Sequence, residues 1–191
     1  MLTHRLSLAL ALVLLGGAAW AAEGSKLSDS DRKFIHEAAQ GGQLEVRLGD
    51  LVAQKATDAE VKAFGERMVT DHGKVNQELK TLASQVGEKL PTALSKKGQA
   101  SYDKLHKLTG AAFDREYMAA MVRDHERDVK AFDHETRYAK DPRVRTFAEN
   151  TLPTLHEHLR IAKEIDAKFM KGVGGTGGQN VPLPPPPSPE K

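Results

Sequence analysis

From Leu27 to Met170 apolar residues recur every three or four positions, proline is nearly absent, glycine is sparse, and no stretch alternates as a strand does. A chain patterned in this way folds as an all-α protein. Stop and start signals divide it into four long helices. Ser28 caps the first, which runs to Lys55, and Thr57 with Asp58 caps the second, which runs to about Val86 with Gly87 as its stop. The third runs from about Gly110 to Ala139. Asp141 caps the fourth, with Pro142 at the first helical position, where its missing N–H costs nothing, and the helix ends near Met170 and Gly172. Each helix is about 28–30 residues, or ~43 Å, long.

The connections are unequal. Two or three residues join the first helix to the second and the third to the fourth, which forces two antiparallel hairpins. Residues 88–109 between the hairpins hold "KLPTALSKKGQASYDKLHKL", whose later part reads as a short extra helix. A connection of that length can travel the length of a bundle and leave helices two and three parallel. The expected architecture is a ferritin-like antiparallel four-helix bundle over residues 28–170, with a long crossover between helices two and three.

Each helix has an apolar seam, and each seam is interrupted by one titratable residue. The first reads Phe34, Ala38, Gly41, Glu45, Leu48, Val52, and the second reads Val61, Phe64, Met68, His72, Val75, Leu79. The third reads Met118, Val122, His125, Val129, Phe132, and the fourth reads Thr151, Leu155, His158, Ala162, Ile165. Counted from the first turn, Glu45 and His72 face each other ~20 Å away; counted from the second, His125 and His158 do so at ~25 Å. In the crossover topology these heights coincide in mid-bundle. The pentapeptides "MVTDH" at 68–72 and "MVRDH" at 121–125 then lie on parallel helices at one level, each presenting a His inward.

Buried titratable groups are expensive unless they pair or bind something. One carboxylate and three imidazoles suit a single transition-metal ion (iron, copper or zinc) with Glu45, His72, His125 and His158 as ligands. Asp71 and Asp124 are candidates for orienting the rings. Met68 and Met121, each one turn before a His, are alternative thioether ligands suited to copper, or gap-filling core residues. His156 falls on a flank and is a weaker candidate, while His36, His106 and His134 lie outside the seams and read as surface residues. The competing reading is a metal-free buried Glu/His cluster that only fixes helix register. Gly41-Gly42 and Pro153 break helix rules near the layer, as functional sites do, although close helix packing accounts equally well for the glycines. No Cys nucleophile, phosphate loop or Ser elbow is present, so no catalytic residue is assigned.

Four blocks, "EAAQGGQLEVRLGDLVAQKA", "VKAFGERMVTDHGKVNQEL", "FDREYMAAMVRDHERDVKAF" and "FAENTLPTLHEHL", closely resemble the exported bacterial family called domain of unknown function 4142. The resemblance covers roughly residues 28–168 and implies a ferritin-like fold and export. Glu-x-x-His, the signature of di-iron ferritin-like proteins, occurs nowhere in the chain, which argues against a carboxylate-bridged di-iron centre.

The ends read differently from the middle. "MLTHRLSLALALVLLGGAAW" has a basic start, an apolar run from Leu6 to Leu15 and an A-x-A site at Ala19–Ala21. This is the pattern of a cleaved signal peptide over residues 1–21, and it places the mature chain in the periplasm or cell envelope. The apolar run is shorter than the ~20 residues a spanning helix needs, so the mature chain is expected to carry no transmembrane segment. The 191 residues contain no Cys, so an exported protein must hold together without disulfides. Loss of Arg5 leaves 27 basic against 26 acidic residues with no basic block, which argues against nucleic acid as a partner. Residues 171–191 form a Gly/Pro-rich tail, either a solvated appendage or a docking arm for an envelope partner.

Overall fold

The computed structural model describes residues 27–172. The expected signal peptide lies outside them, as does the Gly/Pro-rich tail apart from the two residues that close the last helix. Five helices and no strand occur among the described residues: α1 (Asp29–Lys55), α2 (Ala59–Gln85), α3 (Lys96–His106), α4 (Gly110–Tyr138) and α5 (Pro142–Gly172).

The helix ends follow the capping chemistry expected of the sequence. Ser28 Oγ accepts from the Asp31 backbone N–H at 3.1 Å, and Asp58 Oδ1 accepts from Glu60 and Val61 at 2.8 and 3.2 Å. Gly87 ends α2 at φ +69°, the left-handed conformation that favours glycine. Asp141 Oδ1 accepts from the Arg143 N–H at 2.8 Å and starts α5. The expected breakers do not interrupt their helices: α1 runs through Gly41-Gly42 and α5 runs through Pro153. In helices of 27 and 31 residues one weak or missing backbone bond is outweighed by the packing of the buried face.

α1 and α2 form one hairpin, and α4 and α5 form the other. The first pair approach very closely: a Cβ at Gly49 would fall 2.6 Å from Val69 Cγ2 and 2.7 Å from the Gly65 carbonyl oxygen. Between hairpins, α1 meets α4, with Phe34 4.8 Å from Phe132 between ring centroids. Likewise α2 meets α5, with Lys168 Nζ 2.6 Å from Glu60 at one end and Arg143 Nη1 3.0 Å from the Gln85 carbonyl at the other. The segment between α2 and α4 is fastened to α1 by Glu88, which takes His36 at 2.9 Å and also Arg32, and by Gln43, which donates to the Pro91 carbonyl at 2.8 Å. α3 then packs on α1 and α4 and buries Leu105.

Each short turn is held by a buried aspartate from the opposite hairpin. Asp114, at the start of α4, accepts from Thr57 Oγ1 at 2.6 Å and from the backbone N–H groups of Thr57 and Asp58 at 3.2 and 3.0 Å. Asp31, in the first turn of α1, accepts from the Lys140 and Asp141 N–H groups at 3.0 and 2.9 Å. Both side chains are buried. The sequence reading passed over both. The signal was there: Asp114 stands four residues before Met118, and Asp31 three before Phe34, so each extends an apolar seam by one turn.

The core falls into two apolar clusters. One holds Leu48, Phe64, Met68, Tyr117, Met121 and Ile161 among others. The other holds Phe34, Ile35, Leu79, Phe132, Phe147 and Leu155 among others. On α2 the boundary between them falls between Met68 and Leu79, on α4 between Met121 and Phe132, and on α5 between Leu155 and Ile161. Each of these intervals contains one buried histidine.

Replacing Asp114 by Ala should leave three donors without their acceptor. We expect a loss of about 3 kcal/mol, as a buried charged acceptor of several bonds implies, read as a lower urea midpoint with unchanged slope. Asp31→Ala should act in the same direction through the other turn.

Candidate metal centre

His72 on α2, His125 on α4 and His158 on α5 are 4%, 0% and 0% exposed and converge in mid-bundle. One ligand nitrogen from each lies within 4.8 Å of the other two. The ring centroids are 5.3–5.6 Å apart. The Phe64 ring lies 6.4 Å from both the His125 and the His158 rings and shields them on the side of the first apolar cluster.

Hydrogen bonds fix the tautomer of two rings. His125 Nδ1 is 3.0 Å from the Met121 carbonyl, which only accepts, so Nδ1 carries the proton and Nε2 a free lone pair. His158 Nε2 donates to Asp71 Oδ2 at 2.9 Å, and Arg67 Nε holds the same oxygen from the other side at 3.2 Å. This leaves His158 Nδ1 with its lone pair, buried and without a partner. His72 Nε2 lies 3.5 Å from His125 Nε2. That distance is long for a hydrogen bond, but it is close to the separation of about 3.3 Å between two imidazole nitrogens on one tetrahedral ion. The donor set suits a borderline ion such as zinc, copper or iron.

Burial keeps all three rings neutral. Desolvation is the largest cause in each case, and it pushes His72 well below the ordinary histidine range and His125 down to about 3. His158 is also lowered by burial, though its bond to Asp71 works in the opposite direction. Asp71 is held below the usual carboxylate range, first by the His158 hydrogen bond.

The other candidate residues are placed differently. Glu45 is 1% exposed, and at the level of His72, because Gly42 of α1 lies against Asn76 of α2 and Gly49 against Val69. Its carboxyl nevertheless stands outside the mutually close group of donors, which among the described residues consists of the three imidazoles. Its charged neighbours are instead Asp124, Asp128 and Arg127 of α4. Desolvation first, then the two aspartates, raise its pKa well above the carboxylate range, and its Oε2 is buried without a partner. Desolvation first, and then Asp124, hold Asp128 up at about 6 against the opposing pull of Arg127. Asp124 pairs with Arg127 at 2.6 Å and bonds to no imidazole. Asp71 orients His158, across the helix interface, rather than its neighbour in sequence.

Met68 and Met121 are fully buried in the apolar cluster, and the Met121 carbonyl, not its thioether, is bonded to the His trio. His156 is exposed on α5. His106 and His134 are also exposed, whereas His36 is half-buried against Glu88. Besides Asp31 and Asp114, Tyr117 went unread in the sequence; its hydroxyl has no partner and its pKa is raised by burial and then by Glu45. Its place one turn before Met121 was the available signal.

These shifts set the acid behaviour of metal-free protein. The folded histidines titrate below their unfolded value of about 6.5, so below that pH the unfolded chain binds more protons. Stability present above about pH 6.5 is lost as pH falls towards the folded values, with an upper bound of about 4 kcal/mol by pH 5.5 for three such groups. Melting curves in chelator should show this slope, and changing His72, His125 and His158 together to Gln should flatten it. Glu45 has the opposite sign. Its raised pKa gives stability that is present below the unfolded carboxyl value and is lost as pH rises, so Glu45→Gln should raise the metal-free melting temperature near pH 8 and leave it unchanged near pH 4.

Comparison with solved structures supports the fold. A DUF305 fragment from Deinococcus radiodurans superposes with a TM-score of 0.66 at 13% identity, over 74% of this chain and 98% of that one. A DUF305 protein from Streptomyces coelicolor superposes with a TM-score of 0.62 at 16% identity, over 79% of this chain and 98% of that one. No curated protein matches the chain closely enough to count as a relative. Residues 17–165, which contain all three histidines of the centre, match the family described as Domain of unknown function (DUF4142), and the chain belongs to that family.

Proposed function

We propose that this protein is an exported, ferritin-like helical bundle that binds one transition-metal ion between His72, His125 and His158, and that it serves metal handling or envelope stress. The observation that carries the reading is the orphaned lone pair of His158 Nδ1 in a fully buried position, beside a second ring whose tautomer is also fixed. Buried polar atoms are normally satisfied, and an ion would satisfy this one. The absence of a carboxylate from the close donor group favours one ion over a bridged pair. Support for the one-crossover topology comes from the contacts of the 86–95 segment with α1, and from the pairing of His72 with His125 on α2 and α4. Export rests on the N-terminal sequence pattern. No helix among the described residues is long and apolar enough to cross a membrane. In this reading the Gly/Pro-rich tail is the segment that would meet an envelope partner.

Metal analysis of protein purified without a His-tag should find about one ion per chain, lost in the His72→Ala, His125→Ala double variant. Asp71→Asn should retain the fold and weaken binding by about 10- to 100-fold, because it loosens only the orientation of His158. A stable protein free of metal after metal-replete expression would leave the centre as a register device alone. N-terminal sequencing of the exported protein should begin at Ala22.

A further inference from the structure

A cavity of about 370 Å³ lies between α1, α3 and α4. Its lining begins at exposed positions, Glu37, Lys97, Arg127 and Ala131, and ends at buried ones, His72, Thr151 and Leu155. It therefore joins the surface to the level of the three imidazoles. His72 is the member of the trio that lines it; His125 and His158 do not. Asp124 and Asp128 of α4 stand in the wall, with Arg127 bonded to both at 2.6 and 3.3 Å. Opposite them is Gly41. A Cβ there would meet only Asp128 Oδ2, at 4.0 Å, an ordinary van der Waals contact, so a side chain has room to enter the cavity. Its neighbour Gly42 is the reverse case, since a Cβ would fall 2.0 Å from Asn76 Oδ1. The two glycines that look like one helix defect thus do different things: Gly42 admits Asn76, and Gly41 leaves the cavity clear.

We propose that this cavity is the port by which a metal cation reaches and leaves the three-imidazole centre, kept open by the missing side chain of Gly41 and walled by the carboxylates of Asp124 and Asp128. The inference rests on the metal-binding reading above. A fully buried donor set can be loaded only by a path from solvent or by local unfolding, and the cavity supplies the path. His72 is the ligand an incoming ion meets first. Carboxylate oxygens can replace the water a cation sheds, and these two, which share the charge of Arg127, hold it less tightly than imidazoles do.

The test is the rate of loading and not its extent. Cobalt(II) gives visible absorption in a nitrogen-ligated site and can be followed by stopped flow. Gly41→Leu fills the cavity without touching a ligand, and Ala131→Leu narrows its mouth from α4. Both variants should take up cobalt(II), and lose it to excess chelator, more slowly than wild type by about tenfold or more, with stoichiometry and affinity nearly unchanged. Gly41→Ala, which adds one methyl group, should fall between. If Gly41→Leu fails to give a wild-type helical spectrum, Ala131→Leu decides. Wild-type rates in the folded plugged variants would overturn the port while leaving the centre intact. A wild-type protein that takes up no cobalt(II) or other transition metal would overturn both.

Discussion

The level at which the histidines meet depends on two carboxylates at the ends of the bundle. A two- or three-residue turn leaves backbone N–H groups that no helix satisfies, and here each turn meets the first turns of a helix of the other hairpin. Asp114 accepts from the turn at Thr57-Asp58, and Asp31 accepts from the turn at Lys140-Asp141. The bonds are charge-assisted and reach between hairpins, so they fix the axial position of one hairpin against the other. A slip of one residue along a helix is about 1.5 Å, enough to break them. The same slip would carry His125 and His158 away from His72. The turn clamps and the histidine trio are therefore one constraint seen at two heights: the ends set the register that the middle requires.

What the middle costs is visible in its neighbours. Two apolar clusters are separated by a layer that contains three imidazoles, the Glu45 carboxyl, whose pKa burial raises, and Thr151. Filling those positions with aliphatic side chains would join the clusters into one core. The layer instead leaves Glu45 Oε2, Tyr117 Oη and His158 Nδ1 without partners, each a penalty of about 1–3 kcal/mol. The helices tolerate this because the close α1–α2 contact at Gly49 and Gly65 and the aromatic packing of Phe34, Phe132 and Phe147 stabilise the rest of the bundle.

Much of this was legible in the sequence, for physical reasons. Helix ends are local events, so Ser28, Asp58, Gly87 and Pro142 announce them within a few residues. A seam of spacing three and four, measured from a short turn, gives the height of a side chain, and that is why the three histidines could be placed together. Height does not give direction around the axis. Glu45 shares the level of His72, yet its charged neighbours are Asp124 and Asp128, because the α1–α4 interface claims that face. Partnerships between distant residues were equally out of reach: Asp71 with His158 and Asp114 with Thr57 are 87 and 57 residues apart and follow no period.

The three rings are not equivalent, and the difference has an order to it. His125 is tied to its own helix through the Met121 carbonyl, and His158 is tied to α2 through Asp71 and Arg67, so both present lone pairs whether or not an ion is there. Among the described residues His72 has only the His125 ring nitrogen within hydrogen-bond range, at 3.5 Å, and it alone of the three lines the cavity. Two donors are thus preorganised, and the third, beside the cavity, has no short hydrogen bond that fixes its ring. Preorganisation lowers the entropy lost on binding, and a loose third donor lowers the barrier to release. A bundle built to hold an ion permanently would be expected to lock all three rings. One that locks two and leaves the third beside an open cavity fits the exchange proposed above.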